Sequence, residues 1–297
     1  MKKLLSLALS LLLACSLCTA LAADYSDVFT NFDLRDSWTA ATEITFTDTA
    51  VTINGSGAAA DGTVVTITAP GVYKLQGSCA DGQVLVEIDK AEKAQLVLAG
   101  LTLTCQSSAP LYVLSADKVS LTLAHDTVNT FTDGKAYTAA FEKQPNACIC
   151  SRDDLVINGT GTLNVQGNFN NGIGTKNDLR IAGGVITVSA VKNALKGNDS
   201  VAIQNGAITL TAGKDAIKAD NEDKPDKGYV YIAGGDIRIT AGDDAIQAYN
   251  YRLCLTDDPQ NRLAIPRPGG ALTVTATGKA VNSKGSQDVA SGVINGK

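Results

Sequence analysis

Carboxylate and amide side chains recur at regular intervals in the second half of the chain, where they could bind a hard cation. Asn171, Asn193 and Asp215 follow one another every 22 residues, and Asp244 holds the matching place in the next segment. Carboxylates stacked about 5 Å apart repel one another unless amides or lysines alternate with them or a cation bridges their oxygens. Ca²⁺ takes six to eight oxygen ligands, which Asp, Asn and turn carbonyls can supply.

We therefore predict a Ca²⁺ site in this part of the chain. The predicted ligands are Asn193, Asp199, Asp215, Asp220, Asn221, Asp223, Asp243 and Asp244. Their spacing matches no fixed calcium-binding loop, and Asn and Asp are also favoured in turns. For Asn171 and Asn193 we prefer a turn role, whereas the acid density from Asp215 onwards favours a cation.

The residues that most hydrolytic sites need are scarce. His125 is the single histidine, which argues against a histidine metal site and against a Ser-His-Asp triad. No nucleophile, base and orienting group occur in evident register. We predict no catalytic residues and a protein that is not an enzyme.

The recurring acids belong to a repeat of about 22 residues. Its segments begin near Asp154, Asp178, Ser200 and Tyr229, and each holds two apolar-x-apolar triplets, a glycine-containing turn and a third apolar position. Alternation with period two is typical of strands, and self-similarity at this period is typical of solenoids. Short strands stacked about 4.8 Å apart in this way predict an all-β fold, a single-stranded parallel β-helix.

Composition divides the chain into four regions. Residues 1–22 have a basic start, an apolar run and the small residues Ala20 and Ala22, as in a cleaved signal peptide, so we predict a secreted or cell-surface protein. Lipid attachment at Cys15 is a second interpretation of this leader. Residues 23–50 are predicted to cap the N-terminal end, residues 51–281 to form the β-helix with an insertion around 220–227, and residues 282–297 to be a polar, disordered tail.

The charge of the chain restricts its partners. The formal net charge is −5 and the pI is about 4.9, which argues against nucleic-acid binding and against an anionic membrane surface. No membrane span is predicted in the mature chain. The cysteines outside the leader show no Cys-x-x-Cys spacing, so we predict mainly small buried residues, with one disulfide as the alternative.

Outward positions of the predicted strands offer a surface for a ligand. Arg180 and Tyr231 are outward in the first strand row, Arg238 is outward in the second, and Tyr229 lies nearby. Guanidinium groups pair with carboxylates, and tyrosine rings lie against the apolar faces of sugars. These residues are therefore predicted to bind a polysaccharide, although each taken singly is also compatible with an ordinary solvated face.

Several motifs resemble the clostridial carbohydrate-binding β-helix domain family. They are SRDDLVINGTGTL at 151–163, NFNNGI at 168–173, DNEDKPDKGYVYI at 220–232, GDDAIQA at 242–248, FTNFDL at 29–34 and GVYKLQG at 71–77. The resemblance covers about residues 28–258 and implies a pectate-lyase-like, right-handed β-helix that is secreted or on the cell surface. It also implies binding of cellulose or polygalacturonate with calcium and without catalysis. The corners read Lys-Asp-Ala-Ile at 214–217 and Asp-Asp-Ala-Ile at 243–246, where the family often has Gly-Asp-Gly-Ile, so the number of ions does not carry over.

Two other functions are compatible with the same fold. A calcium-dependent polysaccharide lyase acting on uronates would need a base, for which Lys196 or Lys218 beside the acids is available. A structural or adhesive surface protein would need no sugar affinity. Release of unsaturated product distinguishes the lyase, and retention on a polysaccharide distinguishes the binding protein.

Overall fold

The computed structural model describes residues 28–224, 226–254, 271–283, 287–291 and 294–295, and the chain folds as a parallel β-helix. The predicted leader, including Cys15, lies outside these residues. Within the described ranges the one helix is α1 (Asn31–Leu34), and none is long or apolar enough to cross a membrane. This all-β architecture is the one that the repeat predicts.

The strands, labelled in chain order, stack in three ladders, and each turn of the chain visits ladders I, II and III in that order. Ladder I contains β2 (Val51–Asn54), β1 (Thr42–Phe46), the first parts of β5 (Gly71–Cys79) and β7 (Lys93–Cys105), then β9 (Lys118–Leu123), β12 (Asp154–Gly159), β15 (Asp178–Ile181), β18 (Ser200–Ile203), β21 (Tyr229–Ile232), β24 (Asn250–Cys254) and β27 (Gln287–Ser291).

Ladder II contains the second parts of β5 and β7, then β10 (Val128–Asp133), β13 (Thr162–Gly167), β16 (Val185–Ala190), β19 (Ala207–Ala212), β22 (Asp236–Ala241), β25 (Ala271–Ala276) and β28 (Ile294–Asn295). Ladder III contains β3 (Ala58–Asp61), β4 (Val64–Ile67), β6 (Gln83–Glu87), β8 (Leu111–Ser115), β11 (Ala147–Ser151), β14 (Asn171–Thr175), β17 (Leu195–Gly197), β20 (Ile217–Ala219), β23 (Ile246–Ala248) and β26 (Val281–Ser283). The turns between them are the I–II, II–III and III–I corners.

Period-two alternation places one apolar set inside the coils. The interior rows predicted from the sequence are confirmed in register: Leu155–Leu179–Val201–Val230 in ladder I and Ile173–Leu195–Ile217–Ile246 in ladder III. All of these side chains are at most 1% exposed. Burying one such aliphatic side chain contributes about 1.5–3 kcal/mol, so the stacked rows are the main source of stability.

Glycines shape the I–II corner. Gly184, Gly206 and Gly235 hold the same place in successive coils and have φ angles of 100°, 134° and 103°. A Cβ on Gly235 would lie 2.8 Å from the carbonyl oxygen of Gly206. A side chain here would therefore strain the backbone and clash with the preceding coil, which explains the glycine at this step of the repeat.

The N-terminal region differs from the cap predicted over residues 23–50. β1 pairs antiparallel with β2, and β3 pairs antiparallel with β4, so these strands close the first edges of ladders I and III. Residues 28–37, which we call the strap, instead run along the outside of ladder I and include α1. The strap contacts Arg180 at Val28 and Gln95 at Ser37. The cap prediction is wrong for these residues, because polar side chains of ladder I bind their backbone.

Two other connections extend outside the coils. The predicted insertion lies at the III–I corner between β20 and β21, where the structure describes its residues 220–224 and 226–228. Residues 134–146, between β10 and β11, cover the outside of ladder III, where Tyr112 and Cys150 are buried with Phe141 packed against this cluster. Ladder III is therefore closed in its earlier coils.

The predicted disordered tail is wrong in part. β27 and β28 lie within residues 282–297 and continue ladders I and II. Val289 pairs with Leu253 and Ile294 with Leu272, so apolar residues at the repeat positions extend the solenoid. The cysteines follow the prediction of small buried residues, since those whose side chains are described are buried and free: Cys79, Cys105, Cys148 and Cys150.

Candidate functional site

The strap covers the outer face of ladder I from β7 to β15. Arg180 is only 8% exposed, its Nε donates to the carbonyl of Val28, and its Nη2 lies 2.9 Å from Oδ2 of Asp178. The expectation that Arg180 lies open to a ligand is therefore wrong. The reason is that carboxylates of the strap and of the III–I corner compensate this charge inside the protein.

The strap is held by a network of charges and amides. Asp33 is fully buried, and its Oδ1 lies 2.8 Å from Nζ of Lys118. Asn158 Nδ2 donates to the carbonyls of Asp33 and Arg35, each at 3.0 Å. Burial and the neighbouring carboxylate of Asp178 raise the pKa of Asp154. These contacts give the outer face of ladder I a structural role.

The pKa of Arg180 shows how the network compensates a buried cation. Burial alone would lower it, but the carboxylates of Asp178 and Asp154 outweigh burial and raise it. The guanidinium therefore stays charged beneath the strap.

Tyr229 and Tyr231 lie further along ladder I. Tyr231 pairs with Ala202, which in turn pairs with Arg180. Both tyrosines are half-buried, both make further interactions, and burial raises the pKa of Tyr229. Their role in binding a sugar stays a prediction.

The outer face of ladder II is open to solvent. Its central row is Asn164–Thr187–Thr209–Arg238, in register. The Arg238 side chain is 65% exposed, and its Nη2 lies 3.1 Å from Oδ2 of Asp236. Arg238 is thus on a surface that a polymer could reach, although its contact with a sugar stays a prediction.

The II–III corner brings together part of the predicted calcium set. Asp215, Asp243 and Asp244 can each offer an oxygen such that all three atoms lie within 4.8 Å of one another. We call these residues the carboxylate cluster. Asp215 and Asp244 are buried and Asp243 is exposed, so the cluster opens to solvent on one side.

The same corner is a hydrogen-bonded ladder of turn residues. The Oδ1 atom of Asn193 accepts the backbone N–H of Asp215 at 3.2 Å, and Oδ1 of Asp215 accepts that of Asp244 at 3.2 Å. Asn171 Oδ1 accepts from both nitrogens of Asn193. The turn role predicted for Asn171 and Asn193 is confirmed, and Asp215 and Asp244 share it.

The remaining predicted ligands lie elsewhere. Asp199 and Asn221 lie at the III–I corner, where Asn221 Nδ2 donates to Oδ1 of Asp199 at 2.6 Å and Lys227 donates to its Oδ2. Asp220 Oδ2 lies 2.9 Å from Nζ of Lys196, and Asp223 is exposed on the same insertion. The eight predicted ligands therefore do not lie together, because ladder III separates the II–III corner from the III–I corner, where Lys227 pairs with Asp199 and Lys196 with Asp220. A calcium role for the residues of the III–I corner stays a prediction.

The carboxylate cluster fits a calcium ion by its donor chemistry. Oxygens bound to one Ca²⁺ at 2.3–2.6 Å are at most about 5 Å apart, and the three carboxylates meet this limit. The Oδ1 atoms of Asp215 and Asp244 each accept one backbone N–H, from Asp244 and Lys279 respectively, and each keeps a second lone pair. Lys218 Nζ lies 3.2 Å from Oδ2 of Asp215 and offsets part of the charge. Three protein ligands leave places for water or for oxygens of a ligand.

Sequence reasoning missed the aromatic pair next to this corner. The rings of Tyr137 and Phe169 stack at 4.3 Å between centroids and 26° between planes, and Phe169 remains 37% exposed. Tyr137 belongs to the connection 134–146, outside the repeat, so periodicity gave no signal for it. The extra residue at 168–171, relative to the next corners, marks Phe169 in the sequence.

Comparison with known proteins places the chain in a family. A family profile described as carbohydrate-binding domain-containing protein matches residues 61–295. The chain belongs to this family. A carbohydrate-binding domain-containing protein of Acetivibrio thermocellus is 52% identical over 174 residues, which cover 57% of this chain and 60% of that relative. The match thus spans 60% of the relative's length.

This carbohydrate-binding domain-containing protein is also similar to a solved structure. That structure is of a polysaccharide lyase-like protein from C. thermocellum, studied as a gadolinium derivative. It is 43% identical, covers 86% of this chain and 99% of its own, and superposes with a TM-score of 0.77. The β-helix of the chain is therefore the fold of that protein as well.

Proposed function

We propose that this protein is an exported, non-catalytic polysaccharide-binding protein whose binding calcium assists. The single observation that carries the proposal is the open surface formed by ladder II and the II–III corner, in a chain of the carbohydrate-binding domain family. The strap covers ladder I from β7 to β15, and residues 134–146 cover the earlier coils of ladder III. A linear polymer laid along the solenoid would meet this surface over several coils.

Calcium would be held by Asp215, Asp243 and Asp244. When bound, it would neutralise the cluster and offer its free coordination places to oxygens of an acidic sugar. The chain itself orients Asp215 and Asp244 through the backbone N–H groups that they accept.

Export is proposed from the leader at residues 1–22, which supports a secreted or cell-surface location. The lipobox-like sequence at Cys15 is compatible with attachment to a membrane by a lipid. Either location would put the protein where polysaccharides occur and where calcium is abundant.

Retention on a polysaccharide tests the proposal. The mature protein should co-sediment with cellulose or bind soluble polygalacturonate, and EDTA should weaken binding to the acidic polymer. Added Ca²⁺ should raise the melting temperature, by linkage. Asp243→Asn should reduce that rise because it removes one anionic ligand, and it should leave the fold intact because Asp243 is exposed and its carboxylate accepts no hydrogen bond from the described residues of the corner. Absence of retention on every polymer would favour a structural or adhesive surface protein.

A lyase is the second candidate, favoured by the description of the similar structure as lyase-like. Its base would be Lys218 or Lys196. Each ammonium is paired with a carboxylate, Asp215 for Lys218 and Asp220 for Lys196, so neither faces an open site alone. Ultraviolet absorbance of unsaturated uronates that rises with time, and stops rising in Lys218→Ala, would establish the lyase and overturn the proposal.

A further inference from the structure

We infer that a glycan contacts this protein at the II–III corner, where Phe169 is an aromatic platform and Lys192 and Lys214 pair with acidic sugars. This inference rests on the proposed function and names the site and the class of polymer. The carbohydrate-binding residues predicted from the sequence, Arg180, Tyr229, Tyr231 and Arg238, do not include Phe169, Lys192 or Lys214. Three independent features of the corner support it.

The first feature is a rigid aromatic ring with an accessible face. Tyr137 covers one side of Phe169, and 37% of Phe169 stays exposed. Aromatic faces bind the C–H-lined side of sugar rings because both surfaces are apolar and flat.

The second feature is the anchoring of that ring. Asp133 is 2% exposed; its Oδ2 accepts the Tyr137 hydroxyl at 2.6 Å and its Oδ1 accepts the backbone N–H of Asn168. Its carbonyl oxygen accepts from Asn168 Nδ2 at 2.8 Å. One buried carboxylate thus fixes both the connection that carries Tyr137 and the turn that carries Phe169. A ring held in this way loses little conformational entropy when a ligand binds.

The third feature is a column of exposed cations beside the ring. Backbone hydrogen bonds connect the column from coil to coil. The N–H of Lys192 donates to the carbonyl of Asn170 at 2.8 Å, the N–H of Lys214 to the carbonyl of Lys192 at 3.1 Å, and the N–H of Asp243 to the carbonyl of Lys214 at 3.2 Å. Both lysines are exposed. Among the described residues neither lies within ion-pairing distance of an acid. Two neighbouring unpaired ammonium groups are complementary to carboxylates spaced along a polymer.

These features form one continuous track. Three coil steps of about 4.8 Å separate the Phe169 turn from Asp243, so the track is about 14 Å long. A polymer over Phe169 would pass Lys192 and Lys214 and reach the carboxylate cluster. The positive part of the track and a cation at its end both select an acidic chain, such as one of uronates.

Binding of polygalacturonate and of cellulose by single variants tests the inference. Phe169→Ala and Phe169→Leu should weaken binding of polygalacturonate by about three- to tenfold, whereas Phe169→Tyr should retain it, because the ring and not its bulk is needed. Trp38→Ala is the control, because Trp38 is an aromatic residue of similar exposure, 40%, next to the strap and away from this corner, and it should bind like the unmodified protein. Thermal unfolding confirms that the variants are folded.

Two double variants that remove the same charge at different places test the role of the lysines. Lys192→Ala/Lys214→Ala should weaken binding of polygalacturonate severalfold in dilute salt and less at high salt, and should leave cellulose binding unchanged. Lys90→Ala/Lys224→Ala removes the same charge at exposed sites elsewhere and should have no effect. Equal loss in both pairs would overturn the role of this column.

The outcomes separate the inference from the proposed function. If the unmodified protein binds polygalacturonate and Phe169→Ala binds it equally well, the platform is wrong and the proposed function stands. If the unmodified protein binds no polymer, the proposed function fails and this site with it. Weakened binding in Phe169→Ala and Phe169→Leu, with Phe169→Tyr unaffected, supports the platform.

Discussion

Asp199 illustrates how a single carboxylate can be needed for the fold where the sequence points to a metal. It is 7% exposed and accepts hydrogen bonds from Lys227, Asn221 and Asn198. Burial raises its pKa, but the bonds from Lys227 and Asn221 outweigh burial and lower it below the ordinary value of 3.8. The ionised form is therefore favoured in the folded protein.

This shift predicts a pH-dependent contribution to stability. Because the folded-state pKa lies below that of the unfolded chain, the contribution is present at neutral pH and is lost as the pH falls below 3.8. Asp199→Asn should lower the free energy of unfolding at neutral pH, and the difference from the unmodified protein should shrink at acidic pH. Urea unfolding at several pH values measures it, with Asp223→Asn on the same exposed insertion as control. A difference that is constant with pH would contradict this assignment.

At the scale of elements, the strap makes the clearest prediction. Asp33 is fully buried between Lys118 and Arg180. Its Oδ1 lies 2.8 Å from Nζ of Lys118, and its Oδ2 lies 3.8 Å from Nε of Arg180. Asp33→Ala leaves two buried cations with less compensation and should reduce the free energy of unfolding by about 3–5 kcal/mol. Chemical denaturation measures this loss, and limited proteolysis should cut the released strap.

Asp36→Ala is the matched control, since Asp36 is exposed on the same strap. It should change stability by no more than about 0.5 kcal/mol. An Asp33→Ala variant that is as stable and as resistant to protease as Asp36→Ala would show that the ion pairs do not hold the strap.

At the scale of the whole molecule, the stacked interior predicts a sharp contrast between faces. Ile217→Asp places an unpaired charge in a fully buried row and should cost more than about 4 kcal/mol. Thr209→Asp adds the same charge on the open face of ladder II and should cost less than about 0.5 kcal/mol. Melting temperatures of the two variants test the arrangement, and similar values would contradict it.

The repeat made the fold predictable and left the site only partly so. The register Ile173–Leu195–Ile217 follows from apolar residues every 22 positions, because a solenoid repeats its contacts. The strap over Arg180 and the connection that carries Tyr137 occur once and not in each coil, so the repeat does not predict them. Likewise, spacing could not show that ladder III separates Asp199 from Asp215, since distance across a coil is set by packing.

The strap also fixes the order in which the molecule can be completed. Val28 is among the first residues of the fold to leave the ribosome or the export channel, yet its partner Arg180 follows 152 positions later. The strap meets Gln95, Lys118 and Asn158 on successive coils before it meets Arg180. Its docking can therefore be completed only after the coil of β15 exists, and closing so long a loop is slow. A chain interrupted before residue 180 would leave Val28 unanchored, and proteases would distinguish its N-terminus from that of the longer protein.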